Sequence, residues 1–255
     1  MATVPPQDTG LPLLYKEIIP LSSQAHATWK ARQMKDLALL RGVHALPLTT
    51  DEFIAAQRTL PIVFSIGDAP VPLALMGLAE GVNVLLDEND TLVPGTYLPA
   101  YARRYPFLLA RLNPEGEDLS LCFDPTADLL GDYDEGQPLF EGTEPAPAIK
   151  QTLEFCEQLE IAGQRTTQFV KDLKELDLLT DGEVTIQPAD APQPFIYRGF
   201  QIVNEEKLRG LRGDQLRKIM QSGMLPLIHA HLFSLSILRE LFERQYQQQQ
   251  PAVAA

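Results

Sequence analysis

Two stretches carry side chains whose types and spacing are able to do chemistry. The first is "PLIHAHLFSLSILREL" (226–241), where His229 and His231 stand two apart in a run with little charge. An imidazole can hold a metal, move a proton, or fill a core as a hydrogen-bonded group. On an α-helix this pair projects about 200° apart, so one helix cannot bring both to one metal; helical zinc ligands use i and i+4 spacing. Pro226 after Gly223, and the polar rhythm Ser236, Arg239, Glu240, Glu243, favour a helix over a strand. On that helix His229 lies at the rim with Ser236, Glu240 and Glu243. His231 falls between Leu238 and Phe242, close to Leu227 and Ser234. His231 is therefore expected inside, as a hydrogen-bonded core histidine. It is also the buried side chain with a candidate functional role, paired with an acid from elsewhere in the chain.

The second stretch is "YLPAYARRYPFLLAR" (97–111), with three tyrosines, two adjacent arginines and two prolines ahead of an apolar run. Arginine stacks on aromatic faces and clamps carboxylates with two parallel hydrogen bonds. Tyrosine offers rigid contact area with a polar tip. Tyr101, Arg103, Arg104 and Tyr105 are accordingly the candidate ligand- or partner-binding residues, suited to a peptide, a carboxylate or a protein surface. The alternative is that the tyrosines and prolines fold an irregular crossover while the arginines pair with the protein's own acids.

Other chemistry lacks its pattern. There is no GxGxxG or GxxxxGK[ST] phosphate loop and no GxSxG elbow. None of His26, His44, His229 and His231 opens an HxD or HxE pair. "GDYDEG" (131–136) lacks the spacing of a calcium loop and reads as a solvated turn. Cys122 and Cys156 form no CxxC pair and lie in apolar runs, which reads as two buried free thiols of a reducing compartment. No metal, cofactor or catalytic residue is expected.

These residues need a scaffold, and composition bounds it. The chain has 255 residues, 45% hydrophobic and 22% charged, enough to bury a sizeable core. A net charge of −13 argues against nucleic-acid binding, which needs a surplus of Lys and Arg. From Asn113 to Ile149 there are ten acidic residues and no basic one, expected as a solvated loop rather than a docking site for a basic partner. The opening "MATVPPQDTGLPLLYKEIIP" lacks a basic start and a continuous apolar core, so no secretory signal is expected. The run 223–238 is too short and too interrupted for a membrane span. The expected location is cytoplasmic.

Short apolar runs at 61–66, 71–77, 82–86, 106–112 and 118–124, punctuated by Gly, Pro, Asn or Asp, predict an antiparallel sheet. Thr49 and Glu52 form a capping box for a short helix that Pro61 follows. Helical spacing runs from Pro147 to Leu179, with Gly163 a candidate break. Extended segments return near 183–203, then a helix with Asp214 near its start and Gly223 after its end, then a last helix to about residue 246. The expected class is α+β: an antiparallel sheet in the N-terminal half packed with helices mostly from the C-terminal half. The expectation is a single domain over residues 10–246, with 1–9 and 247–255 as flexible termini.

Several segments together resemble the bacterial SapC family of surface-array-protein loci. They are "RTLPIVFS" (58–65), "MGLAEGVNVLLDEN" (76–89), "YLPAYARRYPFLL", "LCFD" (121–124), "GQPLFEG" (136–142), "GFQIVNEEKL" (199–208) and "GMLPLIHAHLFSL". They run in order across about residues 10–244. The permease of the same name is distinct and would need several membrane spans. "NDTLVP" departs from the pattern, which would carry a Trp near Leu92 or Val93, so no aromatic contact is expected there. The resemblance brings no catalytic residues. It implies an accessory role in peptide or nutrient modification or uptake, beside outer-membrane receptors and a flavin-dependent halogenase-like or cupin-like enzyme as partner. The expected function is a non-catalytic binding or accessory protein with a protein or peptide partner. An enzyme with an unfamiliar site using His231 is one alternative, and a surface-layer or secretion-associated structural component is another.

Overall fold

Short apolar runs broken by turn residues become strands here, and the long periodic runs become helices. In chain order, the strands of the computed structural model are β1 Ile19–Pro20, β2 Lys30–Ala31, β3 Ala45–Pro47, β4 Ile62–Ser65, β5 Pro72–Leu75, β6 Phe107–Arg111, β7 Leu119–Phe123, β8 Leu130–Gly131, β9 Gln137–Pro138, β10 Phe140–Glu141, β11 Glu144–Pro145, β12 Leu179–Ile186 and β13 Phe195–Val203. The helices are α1 Phe53–Ala56, α2 Ala100–Arg103, α3 Pro147–Glu175, α4 Glu205–Arg209, α5 Gly213–Gln221, α6 Met224–Ser234 and α7 Ile237–Gln249. The structure describes residues 10–112, 118–187 and 194–249. The termini expected to be flexible, 1–9 and most of 247–255, lie outside the described residues, as does 113–117 of the acidic segment; residues 247–249 are the end of α7. The fold class is α+β, as expected.

The chain forms two compact units, each built from separated segments. The first takes Ala38–Pro99 and the chain from Gly163 on. Its core element is a five-stranded antiparallel sheet in the order β12-β13-β4-β5-β3. All four residues of β4 are buried, as a central strand requires. The extended segments near 183–203 return to this sheet: Phe200 and Gln201 of β13 pair with Ser65 and Phe64 of β4. The capping box forms, with the Glu52 carboxylate accepting from the Thr49 main-chain N–H and hydroxyl. Phe53 behind it packs edge-on against Phe169.

The expected single sheet is in fact divided. β6 and β7 join β1 in a separate three-stranded sheet of the second unit, which takes Gln7–Leu37 and Ala100–Ala162. The run 82–86 is not a strand. Its Asn83 side chain donates to the Leu40 carbonyl and accepts from the Leu85 N–H, and this local bonding replaces a ladder. The acidic segment, expected as a solvated loop, carries β8 and β9 on either side of β2, then the β10–β11 hairpin. Its sparse apolar residues explain this, because Leu130, Leu139, Phe140 and Ile149 bury themselves with Phe107, Phe123 and Cys156.

α3 runs unbroken through Gly163. One glycine costs about 1 kcal/mol in a helix, too little to interrupt one whose flanking residues are good formers. The C-terminal helix instead breaks at Leu235–Ser236. Ser234 Oγ donates to the His231 carbonyl, Ser236 Oγ to that of Phe233, and the main chain tightens to i→i+3 bonds. Met224–Gln248 is long and apolar enough to cross a membrane by composition. In the first unit it supplies the buried Ile228, Ala230, His231, Leu238 and Leu241.

Candidate functional site

His231 is fully buried, and its rim neighbour His229 is half-buried, as the helical wheel requires. The His231 ring joins α6 to two strands. Its Nδ1 lies 2.8 Å from the Ile62 carbonyl, and its Nε2 accepts from the Val203 N–H at 3.0 Å. A carbonyl can only accept and an amide N–H only donate, so the ring is the neutral tautomer with hydrogen on Nδ1. Burial lowers its pKa to about 4, against a smaller upward effect of the Ile62 carbonyl. Three positions on, Ser234 Oγ accepts from the Ile62 N–H. Both imidazole nitrogens are thus engaged by main chain, and neither is left to move a proton or bind a metal. No group of three or more His, Cys, Asp or Glu side chains is placed to hold a metal among the described residues.

The Tyr/Arg segment is organised around Arg104, in the second unit. Its guanidinium stands 4.4 Å from the Tyr101 ring centre and 5.7 Å from that of Tyr15. Its side chain is only 11% exposed, its ion pair with Glu160 is long at 3.7 Å, and its Nε is buried with no hydrogen-bond partner. The phenols around it bind main chain or a carboxylate. Tyr101 donates to the Leu13 carbonyl, Tyr15 to that of Phe107, and Tyr105 to Asp124 at 3.4 Å. Burial raises the pKa of Tyr15 and Tyr101, and burial with the Asp124 charge raises that of Tyr105 to about 12, so all three are protonated donors at neutral pH. Burial alone would push the Asp124 carboxyl up. Hydrogen bonds from Lys16, Thr126 and Tyr105 outweigh it and hold the group below its ordinary value. Among the four candidate binding residues, Tyr101, Arg104 and Tyr105 therefore fasten residues 13–16 to β6 and β7. Arg103 is the exposed one, with its guanidinium 5.4 Å from the Phe155 ring centre.

A different place in the second unit is open to a ligand. The chain leaving β2 and the turn before β9 enclose an open cleft of about 1240 Å³, whose charged and amide side chains are Arg32, Gln33, Lys35, Asp134, Glu135 and Gln137. Arg32 is held flat on Tyr133, 3.4 Å from the ring centre, and Tyr133 donates to the Asp128 carboxylate. Lys30 donates to the Asp134 carbonyl and ties the two walls together. Gly136 sits at their closest approach: its φ is +138°, and a Cβ there would lie 2.6 Å from the Ala31 carbonyl oxygen. Sequence reasoning passed over this cleft, because "KARQMK" shows no periodicity and "GDYDEG" reads as a solvated turn. The signal was the excess of chemistry in that turn, Tyr133 among Asp132, Asp134 and Glu135, but its pairing with Arg32 a hundred residues away is not written locally.

No curated protein matches this chain, and no solved structure matches it. A family model described as SapC matches residues 21–241, which include 97–111, 226–241 and the walls of the cleft. The chain belongs to the SapC family.

Proposed function

We propose that this protein is a non-catalytic binding or accessory protein of the cytoplasm, and that the cleft between Arg32–Lys35 and Asp134–Gln137 receives an extended polar peptide segment of its partner. The cleft's lining carries the reading. Two cations, two anions and two amides face one open space, with Met34 the one large apolar side chain among them. A small-molecule pocket is mostly apolar and encloses its ligand. An open groove of mixed charge suits main chain and side chains of an extended peptide, whose carboxylates pair with Arg32 or Lys35 and whose cations pair with Asp134 or Glu135. The His231 nitrogens and the phenols of Tyr15 and Tyr101 are engaged internally, so these side chains serve as structure rather than as a nucleophile or its base. The partner class that fits is the flavin-dependent halogenase-like or cupin-like enzyme of an accessory role. The test is a native pull-down with mass spectrometry, comparing the parent with Arg32→Glu/Lys35→Glu. A stoichiometric partner recovered with the parent and reduced at least tenfold with the variant is expected. Equal recovery with both, or a bound small molecule and no protein, overturns the assignment.

A further inference from the structure

β2 is the middle strand of its sheet, with β8 on one side and β9 on the other. The main-chain groups of successive residues on a strand point to opposite edges, and they do so here. Arg32 donates its N–H to the Leu129 carbonyl on the β8 side, while the Trp29 carbonyl accepts from the Leu139 N–H on the β9 side. Ala31 faces the β9 side as well, paired with Gln137. The ladder then stops. At Gly136, with φ +138°, the chain ahead of β9 turns away, and Lys30 Nζ holds the Asp134 carbonyl in that turn. Gln33, Met34 and Lys35 follow β2 in no helix or strand, and their main chain makes no hydrogen bond among the described residues. The same alternation points the N–H and C=O of Gln33 and Lys35 to the β9 side, into the cleft that both residues line. The charges around them are unmatched too. Arg32 and Lys35 stand on one wall, Asp134 and Glu135 on the other; all four are exposed, and none forms an ion pair among the described residues.

We propose that the cleft takes its peptide by strand addition: the peptide lies along Gln33–Lys35, in line with β9, and pairs its main chain with theirs. This rests on the reading of the cleft as a peptide site and says how that site reads its ligand. An unpaired strand edge accepts an extended segment because each N–H and C=O finds its complement whatever the side chains are. Charge then selects among peptides. Arg32 and Lys35 attract acidic side chains, and Asp134 and Glu135 attract basic ones, so the occupant is a peptide that carries both signs. A peptide of one sign meets a like-charged wall. A hydrophobic one has only Met34 as a large apolar side chain to bury against.

The test uses the full chain and a capped, fluorescein-labelled octapeptide that alternates Thr with Glu and Lys. Fluorescence anisotropy should show saturable binding by the parent. A twin N-methylated at every residue keeps its side chains and loses its main-chain donors, and it should bind at least tenfold more weakly. On the protein side, Gln33→Pro should bind the octapeptide at least fivefold more weakly than Gln33→Ala, since both lose the side-chain amide and only the first loses the N–H. Gln33 is exposed and its N–H is unbonded among the described residues, so Trp29 fluorescence should match the parent's in both variants. Hydrogen exchange of the Gln33 and Lys35 amides needs no substitution, and it should slow at least tenfold when the parent is saturated with peptide. Equal binding of the methylated twin, or exchange that does not slow, overturns strand addition; if Arg32→Glu/Lys35→Glu still loses the octapeptide, the cleft remains a peptide site read by side chains. Equal binding by the charge-reversed protein and the parent overturns the cleft reading itself. A parent that binds no octapeptide overturns strand addition, and the native pull-down then judges the cleft separately. Exchange already slow in the concentrated chain without peptide would give this edge to a second copy and overturn the proposal equally.

Discussion

His231 shows how a residue with catalytic potential becomes architecture. Its two ring nitrogens replace the hydrogen bonds that Ile62 and Val203 would otherwise lack where α6 covers the sheet. Only the neutral ring can do this, because a proton on Nε2 would face the Val203 N–H. The folded-state pKa, about 4, lies below the ordinary 6.5. The unfolded chain therefore binds the proton first, and stability is complete above pH 6.5 and falls as pH drops towards 4. The loss from this residue should reach about 3 kcal/mol, since each pKa unit is worth about 1.4 kcal/mol. Burial lowers the pKa of His26 and His44 as well, which adds loss in the same direction. Urea midpoints measured from pH 7.5 to 4.5 check this. His231→Ala should cost about 3–5 kcal/mol at pH 7.5, through two orphaned main-chain groups and a cavity, and should flatten the pH dependence. The inward placement of His231 was legible because helical phase needs only local sequence. Its partners, 169 residues upstream and 28 upstream, were not. Arg104 follows the same rule: its aromatic company was visible in "YARRY", but Tyr15 beneath it was not.

At the level of elements, glycine has opposite consequences in a helix and in a sheet. Gly163 lies in the middle of α3, and a Cβ there would meet nothing within 4 Å. Gly163→Ala should therefore stabilise the protein by about 0.5–1 kcal/mol, through helix propensity and a less entropic unfolded chain. Gly182 lies in β12 beneath the ring of Phe200, and a Cβ there would come within 2.2 Å of it. Phe200 is one of the largest fully buried side chains, so the ring cannot withdraw, and Gly182→Ala should destabilise by about 2–3 kcal/mol. Thermal midpoints moving in opposite directions check both, and a loss at Gly163 would show that α3 needs its glycine. This contrast also explains what sequence reading could and could not deliver. The longer strands and helices were legible from periodicity and capping, while the two- and three-residue strands β1–β3 and β8–β11 carry too few residues to show a period. The expected break at Gly163 was not there, because a long run of good helix formers absorbs one poor one. The real break at Leu235–Ser236 arises from Ser234, whose hydroxyl bonds the Ile62 N–H of a strand far away in sequence.

The whole molecule is interleaved: the second unit's two segments are separated by residues 38–99, which belong to the first. A chain in which residues 38–99 were unfolded would have to close a loop of about sixty residues to keep the second unit assembled, at a cost on the order of 4 kcal/mol. The helix α3 adds a second link, since Ala162 and Gly163 are consecutive residues of one unbroken helix and belong to different units. Unwinding either half would leave a new helix end with unsatisfied main-chain groups. We therefore expect the units to unfold together, as the single domain over 10–246 that the sequence suggests. The molecule carries separate reporters for each. In the second unit, Trp29 packs against His26 and Phe123, and the buried thiols Cys122 and Cys156 have their pKa raised by burial, which makes them slow to react while folded. In the first unit, the Val203 amide is protected by His231. Urea titrations read by Trp29 fluorescence, by thiol labelling and by Val203 hydrogen exchange should give one midpoint. Thiols that become reactive at lower urea than Val203 exchanges would instead mean that the second unit unfolds by itself, and the chain would then be two domains threaded through one another.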